Sequence, residues 1–235
     1  MCSSDLTGFG LVRDFGFLRA HTTRALKATC AGPLTFGSRI HPGSAYKSVV
    51  EVAERFAEVI NAELKGLVAA GAELIQLDEP ARGNVSGEEM ARLFNLATEG
   101  VRAKLGFHIC FGNRFGRSRF PRSYEPYFPG VLKARADQFV LEFASRELSE
   151  VDLWQKYGDG RELGAGVVDV KGFQEETAEA VARRIHRVLK VCPPERLTLN
   201  PDCGFGWSPR YMCNQKLTGL AAGAALVRAE LTGKR

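Results

Sequence analysis

The stretch Glu73-Leu74-Ile75-Gln76-Leu77-Asp78-Glu79-Pro80 is a short apolar run that stops at two carboxylates and a proline. A run of that length bounded by turn residues reads as a strand buried on both faces, the kind found in parallel sheets. The pattern returns along the chain. Lys27-Ala28-Thr29-Cys30-Ala31 leads into Gly32-Pro33, and Leu105-Gly106-Phe107-His108-Ile109-Cys110 ends at Gly112-Asn113. Gln138-Phe139-Val140-Leu141 ends at Glu142, and Gly166-Val167-Val168-Asp169-Val170 at Lys171-Gly172. Last, Leu197-Thr198-Leu199 runs into Asn200-Pro201-Asp202-Cys203-Gly204.

Amphipathic stretches fill the intervals. Val49, Val52, Phe56, Val59, Ile60, Leu64 and Leu67 fall on one stripe of 3.6-residue period, and Met90, Leu93, Phe94, Ala97 and Val101 on another. Ala178, Val181, Ile185, Val188 and Leu189 make a third, with Glu175 and Glu176 expected in the first turn and Arg187 and Lys190 in the last, the order a helix dipole favours. A final helix is expected to open with Ser208 as N-cap and Pro209 at N1 and to run through Leu217, Leu220 and Leu226.

Strand-to-helix units recurring about every 30 residues imply a parallel sheet. Polar residues gather where the strands end: Asp78, His108, Cys110, Glu142, Asp169 and Cys203. A (β/α)8 TIM barrel places its active site at that face, and it needs ~250 residues. The expectation is therefore an α/β chain, a TIM barrel N-terminally truncated to six βα units, with residues 1–235 forming a single catalytic domain that lacks the first two units.

Composition agrees with an ordinary globular protein. Of 235 residues 45% are hydrophobic and 25% charged, which excludes disordered and fibrous classes. No stretch approaches the ~20 apolar residues of a membrane span. The excess of 32 Lys and Arg over 27 Asp and Glu, a net of +5, suits an anionic ligand and falls short of a nucleic-acid footprint. Met1 to Asp14 lacks the pattern of a secretory signal, so a cytoplasmic location with reduced thiols is expected. Cys2-Ser3-Ser4-Asp5-Leu6 is what the end of a common sequencing adapter would encode; residues 1–6 read either as that artefact or as a genuine polar tail.

His108 and Cys110 stand two apart on a strand, so their side chains share a face. Alone, such a pair is commonly packing. Cys203, at another strand end, adds a second thiol, and Glu142 adds a carboxylate that is expensive to bury unless paired or metal-bound. Two thiolates, an imidazole and a carboxylate make a Zn²⁺ set; buried packing is the competing reading.

Gln76-Leu77-Asp78-Glu79-Pro80, His108-Ile109-Cys110, Leu141-Glu142 and Asn200-Pro201-Asp202-Cys203-Gly204 occur in the order and approximate spacing of the cobalamin-independent methionine synthase family. The chain resembles the catalytic barrel of that family from about Lys27 onward. The resemblance implies zinc held by His108, Cys110, Glu142 and Cys203, and Asp78, beside Gln76, contacting the amino group of homocysteine. It implies methyl transfer to the homocysteine thiol from methyl-folate or a methyl-corrinoid protein, with no nucleic-acid or membrane partner. Alkyl transfer to another small thiol such as coenzyme M, or an inactive zinc-binding fragment, are the alternatives.

Three departures qualify the match. The family's second, N-terminal barrel is absent, as are the first two strands of the catalytic barrel. The family also carries a His shortly after the Val-x-Asp strand, proposed as the acid that protonates the folate leaving group; here Lys171 stands after Val170. A lysine with a pKa near 10.4 is a poor proton donor at neutral pH, and short single-barrel relatives are more similar in this respect.

Asn113, Arg114, Asp169, Lys171 and Asp202 are expected to bind the donor or to orient the ligands. Arg114, Arg117, Arg119 and Arg122 crowd the loop after Cys110, either as a clamp for an anionic donor or as a solvated loop. His186 lies among arginines on a helix and reads as a surface residue, while His21 and His41 have no identifiable partner in the sequence. Cys30, Cys192 and Cys213 read as packed thiols, with Cys30 near enough to a strand end to line a cavity.

Overall fold

The computed structural model describes residues 8–80, 85–206 and 208–233. Residues 1–6, with their two readings, lie outside the described residues. The elements run α1 (Leu11–Ala20), β1 (Lys27–Ala31), α2 (Pro33–Gly37), α3 (Val49–Ala69), β2 (Leu74–Pro80), α4 (Gly87–Ala97), β3 (Lys104–Cys110), β4 (Gln138–Leu141), α5 (Asp152–Tyr157), β5 (Glu162–Val168), α6 (Ala178–Val188), β6 (Leu197–Pro201) and α7 (Arg210–Thr232). The strands form one six-stranded sheet in sequence order, β1-β2-β3-β4-β5-β6. Pairing is parallel, with Lys27 opposite Leu74 and Ala31 opposite Asp78, and Gln138 opposite Glu162. The register of β5 on β6 slips between Gly166 and Val168, just before the chain reaches Asp169. The alternation of strand and helix read from the sequence is thus an α/β fold with a parallel sheet.

The residues group into two compact units, and β3 runs from the first, which ends it at His108, into the second, which resumes at Ile109. In the first unit the α3 stripe Ile60, Leu64 and Leu67 is fully buried, and Phe94 of α4 stacks on Phe107 of β3 at 4.4 Å between ring centroids. α2 opens at Gly32-Pro33, and its free N–H groups at Leu34 and Thr35 donate to the Glu79 carboxylate at 2.6 and 2.8 Å. Glu79, at the end of β2, is thereby a helix cap set in the core.

In the second unit Phe111, Phe139, Phe143 and Leu163 form the buried interior, together with Val181, Ile185 and Val188 of α6. α6 packs on α7 through small residues: a β-carbon at Gly219 would collide with the Glu176 carbonyl, and one at Gly223 with Val181.

Several boundaries differ from expectation. The fifth strand begins at Glu162 and ends at Val168, so Asp169 and Val170 belong to the following turn. The acidic pair expected in the first turn of α6 lies before it: Thr177 is the N-cap, accepting from the Ala180 N–H, and Glu179 is the first-turn acid. Glu176 instead pairs with Arg184 and accepts from the Asp169 N–H, a tertiary role that outweighs the dipole. α7 takes Pro209 itself as N-cap, with no side-chain cap bond from Ser208. Helix α1 has no cap signature; Glu63 of α3 accepts from the Phe9 and Leu11 N–H groups at 3.1 and 2.8 Å.

Candidate metal centre

β3 alternates its side chains so that Phe107 and Ile109 are fully buried and His108 and Cys110 share the opposite face. Cys203 follows β6, and its sulfur lies 3.4 Å from that of Cys110. One ligand atom from each of His108, Cys110 and Cys203 falls within 4.8 Å of the others. His108 and Cys110 are buried and Cys203 half-buried. The contact with Cys203, then burial, then the charge on Cys203 hold the Cys110 thiol well above its ordinary value. Two thiols in contact in a low-dielectric setting cannot both ionise unaided. A divalent cation would supply the missing charge, and one imidazole with two thiolates is a donor set that soft or borderline metals favour. The residues present therefore fit a metal.

Asp202 sets the position of Cys203. It is fully buried, and its carboxylate accepts from the N–H groups of Phe143, Ala144 and Ser145 at 3.0, 2.8 and 2.6 Å, while its own N–H donates to the Val168 carbonyl. These bonds tie the end of β6 to the 3-10 turn Ala144–Arg146 that follows β4. Burial, then the charge on Glu142, push the Asp202 carboxyl up to about 8, against the Ser145 and Ala144 amides and the Lys171 charge that hold it down.

Glu142, expected as a fourth ligand, is fully buried but lies outside the three-residue group. Its Oε1 accepts from Lys171 Nζ at 2.6 Å and from Ser145 Oγ at 2.8 Å, and its Oε2 from the Phe111 N–H at 3.2 Å. Lys171 is aimed there by the turn after β5, in which the Asp169 carboxylate accepts from the Lys171 and Gly172 N–H groups at 2.7 and 2.9 Å.

Tyr124 was not singled out from the sequence. Its hydroxyl donates to the Ile109 carbonyl at 2.8 Å and accepts from the Glu142 N–H at 2.7 Å, which links the ends of β3 and β4. Burial, then the Glu142 charge, raise its pKa, so it stays a neutral donor. Tyr124 sits in the irregular segment Pro121-Arg122-Ser123-Tyr124-Glu125-Pro126, which carries no periodicity to mark it.

Asn113 Oδ1 accepts from the Gly116 N–H at 3.2 Å, and its Nδ2 donates to the Gly204 carbonyl, beside Cys203, at 3.0 Å. Arg114 and Arg117 exchange backbone bonds across a tight turn in which Phe115 and Gly116 have positive φ. Arg114, Arg117 and Arg119 line a cavity of about 520 Å³ with Phe115 and Ser118. In the first unit, Gln76 Nε2 donates to Asp78 Oδ1 and Lys27 Nζ to Gln76 Oε1, both at 2.7 Å. Burial lowers the Lys27 pKa, and the charge on Asp78 partly restores it. His186 is a surface residue, 2.9 Å from Glu230. His21 bonds the Phe17 carbonyl and His41 accepts from the Gly43 N–H, local partners that the sequence did not reveal. Among the described residues no helix is long and apolar enough to cross a membrane.

Known proteins can be set beside this geometry. The chain is 36% identical over 228 residues to a methionine synthase of Saccharolobus solfataricus, covering 95% of this chain and 65% of that protein. It is 37% identical to a methionine synthase of Saccharolobus islandicus, covering 94% of this chain and 64% of the relative. The chain thus spans somewhat under two thirds of the length of these relatives. Among solved structures it is similar to a B12-independent methionine synthase from Shewanella sp. W3-18-1 in complex with selenomethionine, at 30% identity and a TM-score of 0.80 over 95% of this chain and 68% of that one. That likeness places the six βα units on the fold of the TIM-barrel methionine synthases. The family described as "Cobalamin-independent synthase, Catalytic domain" matches residues 17–225, and the chain belongs to that family.

Proposed function

We propose that the chain is the catalytic part of an enzyme that transfers a methyl group to the thiol of homocysteine, forming methionine, with zinc held by His108, Cys110 and Cys203. The convergence of one imidazole and two thiols at the ends of β3 and β6 is the observation that carries this reading. Bound there, zinc would supply positive charge that keeps a substrate thiol ionised near neutral pH, as the thiolate is the nucleophile. The similarity to a structure solved with selenomethionine, a selenium analogue of the proposed product, supports the same assignment.

The chain's own residues do the positioning. β3 presents His108 and Cys110 on one face, and Asp202 fixes Cys203 through three backbone amides. Asp78, oriented by Gln76, is the carboxylate proposed to receive the substrate amino group, and Lys27 completes that chain of hydrogen bonds. Asn113 braces the loop bearing Cys203. The methyl group passes to sulfur with displacement of its former carrier, methyl-folate or a methyl-corrinoid protein, which leaves with the bonding electron pair. In-line approach makes positioning a large part of the rate. Arg114, with Arg117 and Arg119, is proposed to receive an anionic part of that donor at the cavity they line. A cytoplasmic setting follows from the need to keep two thiols reduced.

The test is a calorimetric titration of the zinc-loaded protein with homocysteine and, separately, with coenzyme M. Binding of homocysteine, weakened at least about tenfold in Asp78→Asn because a charge-assisted hydrogen bond is lost, is the expected result. Indifference to homocysteine together with binding of coenzyme M would overturn the assignment of the acceptor.

A further inference from the structure

We propose that the loop of residues 114–119, after β3, is a binding site for a phosphate group, held by the guanidinium groups of Arg114, Arg117 and Arg119 and by the hydroxyl of Ser118. The proposal names the chemistry of an anion that the reading above leaves open, and it rests on that reading only where the phosphate is carried by the methyl donor.

The loop is built on a two-residue hairpin turn. The Arg114 N–H donates to the Arg117 carbonyl at 2.9 Å and the Arg117 N–H to the Arg114 carbonyl at 3.1 Å, with Phe115 and Gly116 at φ 52° and 76°. Arg114 and Arg117 therefore stand opposite each other as an antiparallel pair, an arrangement in which like charges are destabilising. Arg119 adds a third cation, its N–H donating to the Phe111 carbonyl at 2.8 Å. Among the described residues none of the three guanidinium groups is paired with a carboxylate. The three line a cavity of about 520 Å³ with Phe115 and Ser118. Ser118 Oγ is buried and has no hydrogen-bond partner, an omission that proteins rarely leave in place. An oxyanion in the cavity answers both conditions: it neutralises the facing cations and accepts from the hydroxyl, which turns about a single torsion.

The backbone that carries these groups is held in place. Phe115 occupies the left-handed region, which a bulky residue adopts only where its surroundings impose it. Here Asn113 Oδ1 accepts from the Gly116 N–H, and Gly116 abuts the Lys171 carbonyl so closely that a β-carbon would stand 2.8 Å from it. A fixed loop lowers the ordering cost of binding. The donor set selects phosphate over carboxylate. Three planar forks and a hydroxyl offer more hydrogen bonds than the two oxygens and single charge of a carboxylate can take up. A phosphate monoester presents three acceptor oxygens and a charge near −2. Arginine at all three positions suits bidentate recognition of such a group.

The experiment titrates the 235-residue chain calorimetrically, at constant ionic strength, with inorganic phosphate, phenyl phosphate and glutarate. Saturable binding of one phosphate per chain is expected, with glutarate at least about tenfold weaker because it brings one charge to each carboxylate. Arg117→Gln should weaken phosphate about tenfold or more through loss of a charge-assisted hydrogen bond, and Ser118→Ala about threefold or more through loss of a neutral one. Lys190→Gln, a charge change on the exposed end of the α6 region, should leave the affinity unchanged. Phenyl phosphate binding more tightly than inorganic phosphate would support a phosphorylated ligand, and the reverse order would support the free ion; either upholds the site. No saturable binding at millimolar phosphate would overturn the proposal, as would glutarate binding as well as phosphate, or an unchanged affinity in Arg117→Gln. Should Arg117→Gln fail to fold, Arg114→Gln, across the same turn, decides in its place. Phosphate binding in a protein indifferent to homocysteine would defeat the proposed acceptor and leave this site standing; homocysteine binding without phosphate binding would do the opposite.

Discussion

Cys30 and Cys203 are the same side chain in opposite settings. Cys30 is 4% exposed, and burial, followed by the charges of Asp78, Glu63 and Glu79, pushes its thiol up to about 12. The folded state therefore prefers the neutral thiol. Its contribution to stability is complete below the ordinary value of 9.0 and is lost as pH rises from there toward 12, because the unfolded thiol ionises first. Urea unfolding should show stability falling in that window, and falling less steeply in Cys30→Ala; parallel slopes for the two proteins would disprove the assignment. Cys203, half-buried and in contact with another thiol, is instead a ligand candidate. One zinc per chain is expected by metal analysis, lost in Cys203→Ser, and unchanged stoichiometry would remove Cys203 from the site. The sequence made both cysteines visible as strand-end residues. It could not separate them, since the difference lies in which carboxylates and thiols the fold brings within a few ångströms. Glu142 is the same lesson in reverse: its position after an apolar run marked it as needing a partner, but the partner, Lys171, comes from another strand end.

At the scale of elements, strands were readable because each is a short, largely apolar run bounded by turn residues, and α3, α4 and α6 because their stripes are regular. The N-caps Ser48, Ser86 and Thr177 each accept from an N–H three residues on, as local chemistry dictates. α1 and α2 were not readable, because their N-terminal amides are satisfied by Glu63 and Glu79 from distant elements. The close approach of α6 and α7 was also hidden, although it makes a sharp prediction. Alanine normally exceeds glycine in a helix by about 1 kcal/mol. At Gly219, however, an added β-carbon would stand 2.0 Å from the Glu176 carbonyl oxygen, a backbone atom that cannot rotate away. Overpacking of this kind costs about 1–3 kcal/mol, so it should outweigh the propensity gain. Gly219→Ala is expected to lower the thermal midpoint, read by circular dichroism at 222 nm. A raised midpoint would mean that α6 and α7 have room to separate.

At the scale of the whole molecule, the parallel order of strands was legible and the grouping into two compact units was not, because the boundary falls inside β3, between His108 and Ile109, where no turn residue interrupts the strand. The metal has a structural consequence as well as a chemical one. Cys110 and Cys203 are 93 residues apart in sequence. A ligand that binds both in the folded chain and neither in an ordered way when unfolded closes that long loop and shifts the folding equilibrium by mass action. Free zinc at a thousandfold excess over its dissociation constant would add about 4 kcal/mol of stability. Thermal unfolding followed across a zinc series should therefore give a midpoint that climbs with the logarithm of free zinc in the parent protein, and stays flat in Cys203→Ser.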